Sequence, residues 1–178
     1  MRLLVVTQRL DATDSNLGFF VQWVQRFAEH AEITVIANEV GAHELPKSVR
    51  VFSLGKEGGA TRFSRFMRYQ RFLRDTLPTC DGVFFHMCPE YVLGAHFLPM
   101  WFRKKTALWY VHKQVSWRLS VAALFVDAIF TASKESCRLR SAKVQVVGHG
   151  IDTDRFAPAR ISSGNPLRLR LLTVGRIS

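Results

Sequence analysis

Short apolar runs alternate with longer amphipathic stretches along most of the chain, and this alternation predicts its secondary structure. Seven runs read as strands: Leu3 to Thr7, Ile33 to Ala37, Val49 to Leu54, Gly82 to Met87, Ala107 to His112, Ala128 to Ser133 and Val144 to Gly148. Each is nearly continuous in apolar residues, as strands covered on both faces are. Between them the pattern predicts helices over Gly18 to His30, Thr61 to Leu77, Glu90 to Phe102, Ser116 to Val126 and Lys134 to Arg140. Strands and helices in this order predict an α/β fold, a Rossmann-like, doubly wound, mostly parallel sheet with helices on both faces. Right-handed connections then gather the working loops at one edge, beyond the carboxyl ends of the strands.

The pattern changes near the end. Ala157 to Leu167 (APARISSGNPL) holds Pro158, Pro166, Gly164 and two serines and reads as a linker. The strand-like LRLRLLTVG that follows has no later partner. The expected organisation is one domain over 1–157, a linker over 158–167, and the first strand of a truncated second domain over 168–178. A chain of 178 residues, 48% hydrophobic, suffices for one sizeable core and not for two. No basic segment followed by an apolar one opens the chain, so a cytoplasmic protein is expected. The longest apolar stretch, Tyr91 to Phe102, is interrupted by Gly94, His96 and Pro99 and falls short of the ~20 residues that span a bilayer.

Charge adds a second theme. Lys and Arg number 25 against 14 Asp and Glu, a formal +11, so nucleic acid, anionic lipid and phosphorylated sugar donors all qualify as partners. In the stretch Thr61 to Leu77, Arg65, Arg68 and Arg71 fall opposite an arc of Phe63, Phe66, Met67, Leu73 and Leu77. That arrangement is expected to give a solvated outer face. With Arg103, Lys104 and Lys105 after an aromatic stretch, it also suggests peripheral docking on an anionic membrane. Cys80, Cys88 and Cys137 lack CxxC spacing and predict free thiols, with neither disulfide framework nor zinc site. No GxGxxG follows the first strand, which argues against a dehydrogenase.

Several positions carry candidate chemistry on physical grounds. Gly18 opens the first helix, where N–H groups and the helix dipole favour an anion, although Asp11 and Asp14 add negative charge nearby. His86 and His112 end the fourth and fifth predicted strands, at the ligand-binding edge. Ser133 suits an N-cap and Glu135 the first turn of the helix expected after the sixth strand.

Four segments together, WYVHK (109–113), VDAIFTASKES (126–136), VVGHGIDTDRF (146–156) and LLTVGRIS (171–178), resemble the family 4 retaining glycosyltransferases of the GT-B fold. The match runs from Trp109 to Ser178 and is looser before that. The resemblance implies the N-terminal, acceptor-side half of a hexosyltransferase-type enzyme that uses a nucleoside diphosphate sugar. It implies donor-phosphate contacts from Gly18, Gly175 and Arg176, and His112 near the transferred sugar. His86, Ser133 and Glu135 would lie on the side of a saccharide or lipid-linked acceptor. Because the donor's own phosphate is thought to act as base in such enzymes, neither a carboxylate pair nor a metal is required, and no cofactor is expected. The chain alone is expected to fold but not to turn over. The alternative is a stand-alone basic Rossmann-like module that holds nucleic acid; the absence of any nucleic-acid motif argues against it, and no nucleic-acid partner is expected.

Overall fold

The computed structural model describes residues 1–95, 97–151 and 153. The expected linker, the strand after it, Gly175 and Arg176 lie outside the described residues. Seven strands form one sheet: β1 (Arg2–Leu10), β2 (Glu32–Val40), β3 (Arg50–Ser53), β4 (Gly82–His86), β5 (Lys105–Trp109), β6 (Ala128–Thr131) and β7 (Val144–Val146). Their order is β3-β2-β1-β4-β5-β6-β7, and every pairing is parallel. All seven expected runs become strands, so the predicted α/β sheet is present.

β1 and β2 outrun their apolar segments because their polar tips pair. Arg9 and Glu39 are register partners and form an ion pair, Arg9 also reaches Asp14, and Lys56 Nζ stands 2.9 Å from Glu39. Such cross-strand ion pairs support a ladder where no core is left to bury.

Five helices complete the layers: α1 (Phe19–Ala28), α2 (Arg62–Thr76), α3 (Pro89–Ala95), α4 (Leu98–Trp101) and α5 (Trp117–Phe125). Thr61 and Ser116 cap α2 and α5, each side-chain oxygen accepting a backbone N–H from three residues on, at 3.2 Å. The single helix expected over Glu90 to Phe102 is two helices. Pro99 has no N–H to give a continuing helix, and it sits in the first turn of α4, where none is needed.

The helix expected over Lys134 to Arg140 is a turn followed by extended chain. Cys137 is buried and Leu139 half-buried against the core, while Arg138 and Arg140 are exposed. That alternation has the period of a strand and outweighs the helical propensity of the segment.

The two faces of the sheet are covered unequally. On one, Phe20, Val21 and Val24 of α1 pack on Val5, Ile33, Val35 and Ala37. On the other, Tyr69, Leu73, Val92, Ala95, Leu119 and Ala122 cover Leu4, Val6, Ile36, Val83, Phe85, Leu108 and Ile129. No helix among the described residues is long and apolar enough to cross a membrane.

Candidate functional site

Because every strand is parallel, the loops after β1, β4, β5 and β6 emerge at one edge of the sheet. β1 leads into α1 on one face and β4 into α3 on the other, so the crevice between these strands is the topological switch point, where open α/β sheets bind ligands.

The β1–α1 loop is wound around its own carboxylates. Asp14 accepts the N–H groups of Asn16 (2.9 Å) and Leu17 (2.7 Å), and these bonds, with Arg9 after them, hold its carboxyl below the usual range. Asp11 accepts from the Thr13 hydroxyl (2.7 Å) and N–H (3.0 Å). Gly18 has ordinary helical backbone angles, so its role is closeness rather than left-handed geometry. A Cβ there would lie 2.6 Å from the Asp14 carbonyl oxygen and 2.8 Å from that of Ala12. The sequence led to the expectation of a free N–H at Gly18, but in the structure this group donates to the Asp14 carbonyl at 3.0 Å. The negative charge at this helix start is therefore the chain's own Asp14.

His86 ends β4 as expected, and it is fully buried. Its Nδ1 shares a 3.1 Å hydrogen bond with Thr7 Oγ1, its ring stacks on Phe20 at 3.7 Å between centroids, and among the described residues Nε2 has no hydrogen-bond partner. Burial pushes its pKa down to about 3, so the ring is neutral at physiological pH. Phe19 and Trp23 pack around it, and Trp109 packs in turn on Trp23.

His112 lies three residues beyond β5, on an exposed turn rather than on the strand itself. Its Nδ1 accepts the Gln114 N–H at 3.1 Å, and Tyr110 Oη donates to the Gln114 carbonyl at 2.9 Å, which ties the turn down. Ser133 caps the turn after β6 instead of a helix: its hydroxyl accepts the Ser136 N–H at 3.2 Å and bonds the Ser136 hydroxyl at 3.0 Å. Glu135 is exposed, and its own backbone N–H, then the Ser133 hydroxyl, hold its carboxyl below the usual range.

Two concavities flank this edge. One is an apolar cleft of about 1360 Å³ on the α1 face, bounded by Trp23, Phe27, Phe84, Trp109, Phe130 and Ile151. The HGI segment folds over it, His149 meeting the edge of Trp109 and Gly150 lying against the Trp23 indole. The other, about 590 Å³, lies at the tips of β1 and β2 beneath the first turns of α2, with Gln8, Asn38, Arg62, Arg65, Cys88 and Glu90 on its walls.

That second crevice corrects the expected face of α2. Arg65 is half-buried and its Nη1 donates to Asn38 Oδ1 at 2.6 Å, while Arg68 Nη1 donates to the Leu54 carbonyl at 3.1 Å. Phe63 is instead 74% exposed and Met67 50%. The first turns of α2 overhang the sheet edge, where the floor is polar, so Arg65 turns inward and the aromatic residues do not. Arg68, although it reaches the Leu54 carbonyl, stays exposed, and Arg71 is a solvated outer residue 3.8 Å from Asp75. Lys104 donates to the Cys80 carbonyl at 2.6 Å and Lys105 lies 3.8 Å from Asp127, leaving Arg103 exposed beside Trp101, itself 82% exposed.

Sequence reasoning did not single out Thr7, Gln8 or Asn38. Each directly follows or ends an apolar run at the carboxyl end of a strand, and that position was the available signal.

No family model matches the chain, and no curated protein matches it. Solved structures do. Over 90% of this chain and 47% of theirs, Anabaena Alr3699/HepE in complex with UDP is similar with a TM-score of 0.61 at 14% identity. The UDP-GlcNAc 2-epimerase of Methanocaldococcus jannaschii gives 0.54 at 12% identity, covering 83% and 45%. Acinetobacter baumannii MurG gives 0.52 at 9% identity, covering 89% and 49%. The chain spans about half the length of these structures, and at such identities the likeness establishes the shared Rossmann-like fold.

Proposed function

We propose that the protein is the acceptor-side half of a GT-B glycosyltransferase of the retaining family 4 type, transferring a sugar from a nucleoside diphosphate sugar to a saccharide or lipid-linked acceptor. The observation that carries this reading is the convergence of His86, His112, Ser133 and Glu135 on one carboxyl edge of an all-parallel sheet. The fold is shared with solved structures one of which is described in complex with UDP, which supports a nucleotide-sugar ligand.

In this reading the tied turn holds the His112 ring so that it hydrogen-bonds a hydroxyl of the transferred sugar. His86, buried and neutral, fixes the floor beneath it, and Ser133 and Glu135 face the acceptor. Gly18 provides close approach for the donor diphosphate, with the Asp14 carboxylate turned aside. Gly175 and Arg176 bring a guanidinium that holds two phosphate oxygens and offsets charge on the leaving diphosphate. The donor phosphate serves as base, and no metal takes part. Work in the cytoplasm belongs to the same proposal. So does peripheral contact with an anionic membrane, now resting on exposed Trp101, Met100 and Arg103 rather than on half-buried Arg65.

Calorimetry with UDP- and GDP-sugars tests the reading, comparing this chain with one extended through the natural reading frame. Binding and transfer by the extended protein, with neither by the 178-residue chain, is the expected result. Failure of the extended protein to bind any nucleotide sugar, or tight salt-dependent RNA binding by the chain, would replace the reading with that of a polyanion-binding module.

A further inference from the structure

The smaller crevice holds two cations that no carboxylate neutralises. Several cations near it are matched: Arg9 by Asp14 and Glu39, Lys56 by Glu39, Arg118 by Glu90 at 3.3 Å. Among the described residues, Arg62 and Arg65 have no carboxylate within ion-pair distance. Glu90, the acidic residue on the crevice wall, is paired with Arg118.

Arg65 is the sharper observation. One end of its guanidinium meets the neutral amide of Asn38, yet among the described residues its buried Nε has no hydrogen-bond partner. A buried charged donor with nothing to donate to is costly, and a fold that merely needed to fill this space has cheaper side chains. The remaining walls do not repel an anion. Burial pushes the Cys88 thiol up to about 12, so it stays protonated, and Gln8 and Asn38 are neutral. A guanidinium suits a planar or tetrahedral oxyanion because it offers two parallel N–H groups.

We propose that this crevice, at the tips of β1 and β2 beneath α2, binds a phosphate or carboxylate group carried by the acceptor, with half-buried Arg65 as its inner contact and Arg62 at its mouth. The assignment to the acceptor rests on the glycosyltransferase reading above; the anion site itself does not. It makes the acceptor an acidic molecule, such as a phosphorylated or uronic-acid-bearing saccharide, and it makes Arg65 a specificity determinant.

The test follows the arginine Nε–Hε NMR signals of the 178-residue chain during titration with inorganic phosphate, in the unsubstituted protein and in R65Q, R62Q and R71Q. The expected result is saturable binding that shifts a buried Nε–Hε signal and weakens about tenfold or more in R65Q, less in R62Q and not in R71Q, where each tenfold is about 1.4 kcal/mol. Phosphate binding that R65Q and R62Q leave intact, or no shift of the buried signal, overturns the proposal. R62Q decides the matter should R65Q fail to fold, because Arg62 is exposed. A competing titration with UDP-glucose, carried out on the extended protein that is expected to bind it, separates the sources. If it leaves phosphate in place, the acceptor assignment is supported; if it displaces phosphate, the crevice serves the donor and the assignment falls. The glycosyltransferase reading stands or falls separately, on donor binding by the extended protein.

Discussion

The two faces of the sheet were built from equally apolar strands, yet they end in different states. One is roofed by four helices and closes into a dry core in which Leu4, Val6, Leu73, Leu108, Leu119 and Ile129 have no exposure. The other carries α1 over β1 and β2 and then opens into the cleft where Phe84 and Phe130 remain half-buried. The difference follows from topology. β3, β4, β5 and β6 are linked by crossovers on the first face, whereas β1 to β2 is the crossover that places a helix on the second. One face therefore serves stability, and the other leaves aromatic surface only partly covered among the described residues.

The sharpest way to break this comparison is a pair of truncations on neighbouring strands. Leu108→Ala in the closed face should cost about 2–5 kcal/mol, whereas Phe130→Ala in the open face should cost about 1–2 kcal/mol, below the usual range for a buried aromatic. Denaturant unfolding of both variants checks this, and equal losses would mean that the faces are equally packed.

A comparable effect should come from pH through His86. Its folded pKa, about 3, lies below its ordinary value of 6.5, so between those values the unfolded chain binds a proton that the folded one does not. Stability is thus retained above pH ~6.5 and falls as pH drops toward 3, by up to about 1.4 kcal/mol per unit. His86→Gln should flatten that slope between pH ~5 and 6.5; an unchanged profile would mean that the ring is not sealed beneath α1.

Smaller again is Gly18→Ala, which must push the Asp14 and Ala12 carbonyls aside and should cost about 1–3 kcal/mol in thermal unfolding. Smallest is Trp101→Ser, expected to change stability by no more than about 0.5 kcal/mol while reducing co-sedimentation with anionic vesicles. Unreduced sedimentation would remove the membrane contact from the proposal.

The strands were legible because each buried run is nearly uninterrupted, and even their order of appearance predicted the sheet. Their polar extensions were not, since Arg9 and Glu39 hold the β1 and β2 tips through pairing that no apolar run announces. The helix expected at 134–140 failed for a related reason: Cys137 and Leu139 meet a core formed by distant residues, and local propensity has no view of it. His86, His112, Ser133 and Glu135 were legible as edge residues because strand ends are. Arg65 was assigned to the wrong side because a helical projection assumes an apolar floor along its whole length, and α2 runs past the end of that floor.

The seam between β1 and β4 has a consequence in time as well as in space. Its ladder joins Leu3 to Gly82 and Val6 to Phe85, and its side-chain bridges, Arg2–Asp81, Thr7–His86 and Gln8–Cys88, each span 79 or 80 residues. Every other pairing in the sheet joins strands much nearer in sequence. Closing this loop carries the greatest entropic penalty, so β1–β2–β3 and β4–β5–β6 can each form early and meet late. The candidate crevice between β1 and β4 lies on that meeting line, so it is complete only once the two halves have met, and nascent chains short of β4 carry only the part of the edge that Gln8, Asn38, Arg62 and Arg65 provide.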